Sequence, residues 1–207
     1  SPSKIIYDCM DDALEFPRIK KNIKMNKQFF NLENELCHAS DIVFSSSHYL
    51  KNKLIDRYSI LEEKVVVLNN GIHLKNLENT ELPQEIKKYF DPKFKNIVYI
   101  GTISEWFDFN LIFKSLNEAS GINYLLFGPT EVDIPKHKNI IYCGSINHEY
   151  VSSTMQCADL LIMPFKVNEL IKSVNPVKAY EYIYSGKPSL IVQYEETEKF
   201  KEFLDNA

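Results

Sequence analysis

Short, continuously apolar runs alternate with stretches of helical periodicity along almost the whole chain. The apolar runs are Lys4–Tyr7, Ile42–Ser45, Lys64–Leu68, Asn96–Ile100, Asn123–Phe127, Asn139–Tyr142, Asp159–Met163 and Ser189–Val192. They are too short for helices and do not alternate apolar with polar, which is how strands of a parallel sheet covered on both faces read. Helical patterns fall between them, near 17–39, 47–57, 83–90, 108–118, 147–156, 176–185 and 197–205. The segment 176–185 shows the logic: Val177, Tyr180 and Tyr184 recur at i, i+3 and i+7, before Gly186 and Pro188 close the helix. Alternation of this kind predicts an α/β fold whose parallel strands are joined by right-handed crossovers.

The rhythm breaks once. From about Lys75 to Lys95 the chain turns polar, with Asn76, Asn79, Thr80, Pro83 and Pro92 around a short amphipathic helix. Three strands precede the break and five follow. The expectation is two Rossmann-like parallel-sheet domains, residues 1–94 and 95–207. Three strands are too few for a finished doubly wound unit, so the first is expected to be truncated at its amino-terminal side. The start at Ser1, without Met and directly before a strand, points the same way.

Composition narrows the function classes. The net charge of −4 argues against a nucleic-acid partner, which needs a basic surface. No apolar run approaches the ~20 residues of a membrane span, and the N-terminus has no signal-peptide pattern. Cys9, Cys37, Cys143 and Cys157 lie in or beside apolar runs without metal spacing. They read as free buried thiols, which suits a reducing, cytoplasmic setting. The one basic cluster, Arg18 to Lys27, sets Lys20, Lys24 and Lys27 beside an Ile19–Ile23–Phe30 stripe. A solvated helix face is the plain reading, and peripheral contact with a membrane surface is the alternative.

In open parallel sheets ligands bind beyond the carboxyl ends of the strands. Gly101-Thr102, Gly128-Pro129 and Gly144-Ser145-Ile146 follow three successive runs there. Glycine permits close approach of backbone to a ligand, although turns also use it. Asn175 and Pro176 suit the start of a helix whose amides and positive dipole end favour a phosphate. Lys178 in that first turn opposes the dipole unless it meets an anion. Glu181, one turn on, can accept hydrogen bonds from two ribose hydroxyls. A plain i,i+3 salt bridge between Lys178 and Glu181 explains the pair equally well.

The run from Ser173 to Pro188 (SVNPVKAYEYIYSGKP) resembles the donor-site signature of bacterial GT-B glycosyltransferases, those of teichuronic acid and capsular polysaccharide synthesis in particular. The segments Tyr99–Asp108, Ala158–Phe165, Ala39–Ser47 and Leu68–Ile72 resemble further landmarks of the same proteins, in the same order. The resemblance implies that residues 1–94 are the carboxy-terminal part of an acceptor-side domain plus linker, and 95–207 a nucleotide-sugar donor domain. It implies Glu181 on the donor ribose, and Lys178 with the amides from Asn175 and Pro176 onward near the diphosphate. Gly101 and Thr102 would lie near that diphosphate too, Ser145-Ile146 beside the base, and Gly128 along the same cleft. The pattern is broken in two places: Ser173 replaces a frequent Glu, with Glu169 nearby, and Trp106, Phe107 and Asp108 replace a basic pair. Near the N-terminus Met10 stands where a His is common, which leaves Asp11, with Asp8 behind it, as the acceptor-side acid/base candidate; paired aspartates at a strand end are as readily helix caps.

The expected activity is metal-independent transfer of a sugar from a nucleoside-diphosphate sugar, as co-substrate rather than resident cofactor, to a bacterial surface polysaccharide or lipid-linked precursor. The expected setting is cytoplasmic, at the inner face of the cell membrane. A nucleotide-sugar 2-epimerase of the same fold is one alternative, although His38, His48, His73, His137 and His148 form no sequence cluster. A non-catalytic nucleotide-sugar-binding module is the other.

Overall fold

Each of the eight apolar runs forms a strand in the computed structural model, which describes residues 4–73 and 80–204. The chain opens with β1 (Ile6–Cys9), α1 (Pro17–Lys20), α2 (Ile23–Ala39), β2 (Ile42–Ser45), α3 (His48–Tyr58) and β3 (Val65–Val67). It continues through α4 (Gln84–Lys87), β4 (Lys95–Ile100), α5 (Phe109–Glu118), β5 (Ile122–Phe127) and β6 (Ile140–Gly144). The remainder is α6 (Val151–Cys157), β7 (Leu160–Met163), α7 (Glu169–Ser173), α8 (Val177–Ser185), β8 (Ser189–Ile191), α9 (Glu195–Glu198) and α10 (Lys201–Leu204). All strand pairings are parallel.

The chain divides into two units, one made of Ser1–Asn70, Val167–Pro176 and Tyr194–Glu198, the other of Gly71–Lys166, Val177–Gln193 and Lys199–Ala207. The expected boundary near residue 94 therefore moves to Gly71. Part of the polar stretch, 74–79, lies outside the described residues, but the rest of it belongs to the second unit. Leu82 and Ile86 are buried, Phe90 stacks on Phe127 at 6.3 Å, and the Thr80 amide donates to Ser153 Oγ at 2.7 Å. An amphipathic linker helix covers its apolar side on the nearest sheet. The two returns to the first unit, through α7 and α9, have no counterpart in a simple end-to-end division.

In the first unit the sheet order is β1-β2-β3, with Ile6 beside Ile42 and Val43 beside Val65. Its core gathers Cys9, Cys37, Val43, Leu50, Leu54, Tyr58, Ile60 and Val65. The expected helix over 17–39 breaks at Lys21-Asn22. Asn22 caps α2 by accepting from the Met25 amide at 3.0 Å, the local side-chain bond that makes Asn a helix starter.

In the second unit the order is β6-β5-β4-β7-β8, so the sheet grows outward from β4 in both directions. One face buries Ile97, Tyr99, Tyr124, Leu126 and Ile162 with Ile103, Phe107 and Ile112.

The cysteines are all free, but they are not all buried: Cys9 and Cys37 lie in the first core, Cys143 is half-buried and Cys157 is exposed at the end of α6. Burial pushes the Cys37 and Cys143 thiols up to about 12. Alkylation of the native protein should therefore label Cys157 rapidly and Cys9 and Cys37 only on unfolding, because the thiolate is the reacting form. Mass spectrometry of the labelled peptides checks this, and native labelling of Cys37 would contradict the packing.

Candidate functional site

The strand order of the second unit reverses between β4 and β7, and a doubly wound sheet binds ligands at such a switch point, beyond the carboxyl ends. Gly101 and Thr102 leave β4 there. The Gly101 amide donates to the Phe127 carbonyl at 2.8 Å, so it extends the sheet instead of facing a ligand. What Gly101 supplies is space. A Cβ on it would lie 2.2 Å from Lys178 Cε and 2.7 Å from Nζ, so the lysine side chain runs directly over the bare backbone. Gly128, ending β5, backs onto the same place: its Cβ would sit 2.2 Å from the Gly101 carbonyl oxygen, and its φ of 131° is one that side-chain-bearing residues rarely adopt. The Gly128 amide in turn donates to Gly144 at the end of β6 (2.9 Å). Thr102 accepts from the buried Tyr99 hydroxyl at 2.8 Å through its carbonyl. Its own amide and hydroxyl have no partner among the described residues.

The two glycines should respond differently to Ala. At Gly101 the obstacle is the far end of a flexible lysine, so Gly101→Ala should displace Lys178, and its cost in stability is that of holding a side chain at a φ of 156°. At Gly128 the obstacle is backbone, which cannot move aside and adds to a positive-φ strain on the order of 1–3 kcal/mol. Thermal denaturation should show a larger loss for Gly128→Ala than for Gly101→Ala; equal melting temperatures would contradict the close backbone approach.

Lys178 and Glu181 lie on α8, both half-buried. The core face of α8 is not the expected Val177–Tyr180–Tyr184 stripe. Val177 and Tyr184 are exposed, whereas Ala179 and Tyr182 are buried, with the Tyr182 hydroxyl donating to the Ile162 carbonyl at 3.0 Å. Tyr180 instead packs edge-on against Phe200, centroids 4.8 Å apart. The small Ala179 lets the helix approach the sheet, and a tyrosine with a satisfied hydroxyl packs as a core residue. Among the described residues Lys178 closes no ion pair, so the i,i+3 salt bridge to Glu181 is not formed. Burial pushes the Lys178 pKa down, while the Glu181 charge acts in the opposite sense. A partly buried cation without a bonded counter-charge is poised for an anion.

Ser145 is exposed and Ile146 half-buried just after β6, on the strand tied to Gly128. Asn175 and Pro176 are both buried, and α8 begins one residue later than expected, at Val177. Asn175 does not cap that helix with a free side chain. Its Oδ1 accepts from the Asn70 amide (2.9 Å), its Nδ2 donates to Glu196 (3.1 Å), and its carbonyl accepts from Asn70 Nδ2 (2.7 Å), all within the first unit.

Asp8 is exposed on β1, and Asp11 follows that strand, half-buried. Burial, reinforced by the neighbouring Asp12 charge, raises the Asp11 pKa to about 6. A folded pKa above the unfolded one means that the native state binds the proton more tightly. The stabilising contribution is therefore full below about pH 4, the ordinary aspartate value, and is lost as pH rises through about 6. Asp11→Asn should flatten the stability profile across that window and raise stability at neutral pH, which urea titrations at pH 4 and 7.5 would show. Ser173 is fully buried, its hydroxyl donating to Leu170. The nearby Glu169 is held by Tyr49 (2.7 Å) and Lys172 (2.9 Å), which lower its pKa to about 2.

No family model matches the chain. A Bacillus subtilis protein, provisionally named teichuronic acid biosynthesis glycosyltransferase TuaH, is 23% identical over 209 residues, covering 96% of this chain and 53% of that protein. Among solved structures, Anabaena HepE in complex with UDP-glucose aligns with a TM-score of 0.68 at 14% identity, over 94% of this chain and 55% of HepE. WaaG, a glycosyltransferase involved in lipopolysaccharide biosynthesis, aligns at 0.62 and 12% identity, over 97% of this chain and 56% of WaaG. The fold is that of the GT-B glycosyltransferases. The chain spans about half the length of these proteins.

Within this GT-B fold the acid that sequence reasoning passed over is Asp12. It is fully buried, gripped by both Arg57 nitrogens (2.9 and 2.7 Å) and by Lys53 (2.8 Å), and its pKa is lowered by those cations against the penalty of burial. Arg57 also reaches Glu33 at 3.3 Å, a buried carboxylate that accepts from Tyr7 (2.9 Å) and Tyr58 (2.6 Å). Asp12 is the ion-paired aspartate of the two, held in its charged form, and Asp11 is the one whose pKa is raised. The basic cluster is not one surface: α1 ends at Lys20, Lys20 pairs with Glu15, and Phe30 packs on Tyr58 at 5.2 Å while Ile23 is 86% exposed. Among the described residues no helix is long and apolar enough to cross a membrane.

Proposed function

We propose that the chain forms the donor-binding part, and a portion of the acceptor side, of a glycosyltransferase that moves a sugar from a nucleoside-diphosphate sugar to a bacterial surface polysaccharide or its lipid-linked precursor. The observation that carries this reading is the β4/β7 switch point, where Gly101, itself backed by Gly128, makes room for a Lys178 that closes no ion pair among the described residues. In this reading Lys178 and the first-turn amides of α8, to which Asn175 and Pro176 lead, bind the diphosphate, with the Thr102 amide and hydroxyl. Unpaired first-turn amides and the helix dipole favour that charge. Glu181 accepts the ribose hydroxyls, and Ser145 and Ile146 border the base. As the bond between sugar and diphosphate breaks, charge accumulates on the departing nucleotide; the same cationic and amide groups stabilise it, and need no metal to do so. Asp11, with a pKa near 6 and Asp8 on the strand before it, is the candidate base for the acceptor hydroxyl. The UDP-glucose complex of HepE supports a nucleotide-sugar donor. TuaH, by its name, supports a surface polysaccharide product; in this reading the transfer takes place at the cytoplasmic face of the membrane.

A second reading, a nucleotide-sugar-binding module without catalysis, draws on Ser173: a frequent donor-sugar Glu is here a buried hydroxyl turned to its own backbone. Incubating the complete protein with radiolabelled nucleotide sugars separates the outcomes. Released nucleotide with labelled glycan supports transfer, an epimerised donor supports a 2-epimerase, and bound but unchanged donor supports the module. Failure of every donor to shift the melting temperature would remove all three.

A further inference from the structure

At the opposite, amino-terminal edge of the second unit's sheet lies a cavity of about 760 Å³, within the range of about 300–1,000 Å³ usual for small-molecule sites. Its floor is an amide ladder. Asn139 Nδ2 donates to Asn123 Oδ1 (2.8 Å) and to the Ile122 carbonyl (3.0 Å), which uses both its protons. This leaves Asn123 Nδ2 as a donor and Asn139 Oδ1 as an acceptor, neither with a partner among the described residues. His137 accepts the Asn139 amide on Nδ1 at 3.2 Å, which puts the ring proton on Nε2. The charged lining is balanced, Lys88 and Lys138 against Asp91 and Glu118, and none of the four closes an ion pair among the described residues. Tyr89 and Phe94, both partly exposed, supply apolar surface.

This combination selects against simple ions. An anion would use donors alone and a cation acceptors alone, and here each has its opposite beside it. A hydroxyl group donates and accepts at once, so the donor and acceptor left on Asn123 and Asn139 match a hydroxyl, and the charged groups of both signs around them match further ones. A ligand with hydroxyls on its rim and apolar C–H faces also uses the two rings. The geometry points to a second carbohydrate site, in which this cavity holds a neutral oligosaccharide segment, apart from the β4/β7 crevice. It does not depend on the proposed transferase reaction, since the two places lie at opposite strand ends.

Saturation-transfer NMR with cellotetraose, maltotetraose and chitotetraose on the complete protein tests this. At least one should receive saturation at millimolar concentration. Ser120→Trp, at an exposed position on the rim, should abolish that transfer, and Asn117→Ala should weaken it several-fold. Both variants should keep the wild-type melting temperature and nucleotide affinity. Absence of transfer from all three sugars would overturn the proposal, as would transfer that Ser120→Trp leaves intact. Chemical-shift changes at Asn123 and Asn139 with inorganic phosphate but not with the sugars would replace it with an anion site.

Discussion

Arg57→Ala should cost the first unit about 3–5 kcal/mol, the loss typical when one partner of a buried charge cluster is removed. Arg57 is the cation shared by two buried carboxylates, and its removal leaves Asp12 with Lys53 alone and Glu33 with two tyrosine hydroxyls and the Cys9 thiol. The pH dependence provides the internal check. The folded Asp12 pKa is held below the ordinary aspartate value, so its contribution is present above about pH 4 and fades as pH falls through the folded value. The gap between wild type and variant should therefore be widest at neutral pH and narrow in acid. Urea unfolding followed by fluorescence at pH 7 and pH 3.5 measures both. A loss below about 1 kcal/mol at pH 7 would place the pair in the class of weak, solvent-screened bridges.

That cluster also shows where reading the sequence stops. All eight strands were legible because a parallel strand covered by helices has a local signature, three or four continuous apolar residues between polar breaks. Helix α8 was legible as a helix, yet its orientation was not: Val177, Tyr180 and Tyr184 make a better local stripe than Ala179 and Tyr182. What turned the helix was a hydrogen bond from Tyr182 to Ile162, on another element. Choosing Asp11 over Asp12 did not reveal the role of its neighbour, because the partner that immobilises Asp12 is 45 positions away. The short α7 was missed for a related reason. Lys166 to Ser173 has no sustained period, and the helix rests on the Asn168 cap, which accepts from Ile171, and on long-range bonds such as Tyr49 to Glu169. Local pattern gives elements; side chains that satisfy one another across the chain decide which face is buried, and which loop belongs to which unit.

Lys178→Ala should weaken binding of a nucleoside diphosphate about tenfold to hundredfold, the equivalent of a charge-assisted hydrogen bond worth roughly 1.5–3 kcal/mol. The same variant should leave the bare nucleoside unaffected, since only phosphates call on the cation. Glu181→Ala should weaken both ligands, because the ribose hydroxyls are present in each. The structure sharpens this test in two ways. Lys178 and Glu181 close no ion pair with each other, so neither substitution breaks a salt bridge and stability should hardly change. Gly101→Ala, whose new Cβ would occupy the place of Lys178 Cε, should reproduce the Lys178→Ala binding pattern without altering the lysine itself. Titration calorimetry of the three variants with UDP and with uridine decides the matter. A Gly101→Ala protein that binds UDP as the wild type does would show that the position of Lys178 over the glycine is incidental. Unchanged UDP affinity in all three would remove the donor site from the β4/β7 crevice, and with it the main physical support for a glycosyltransferase.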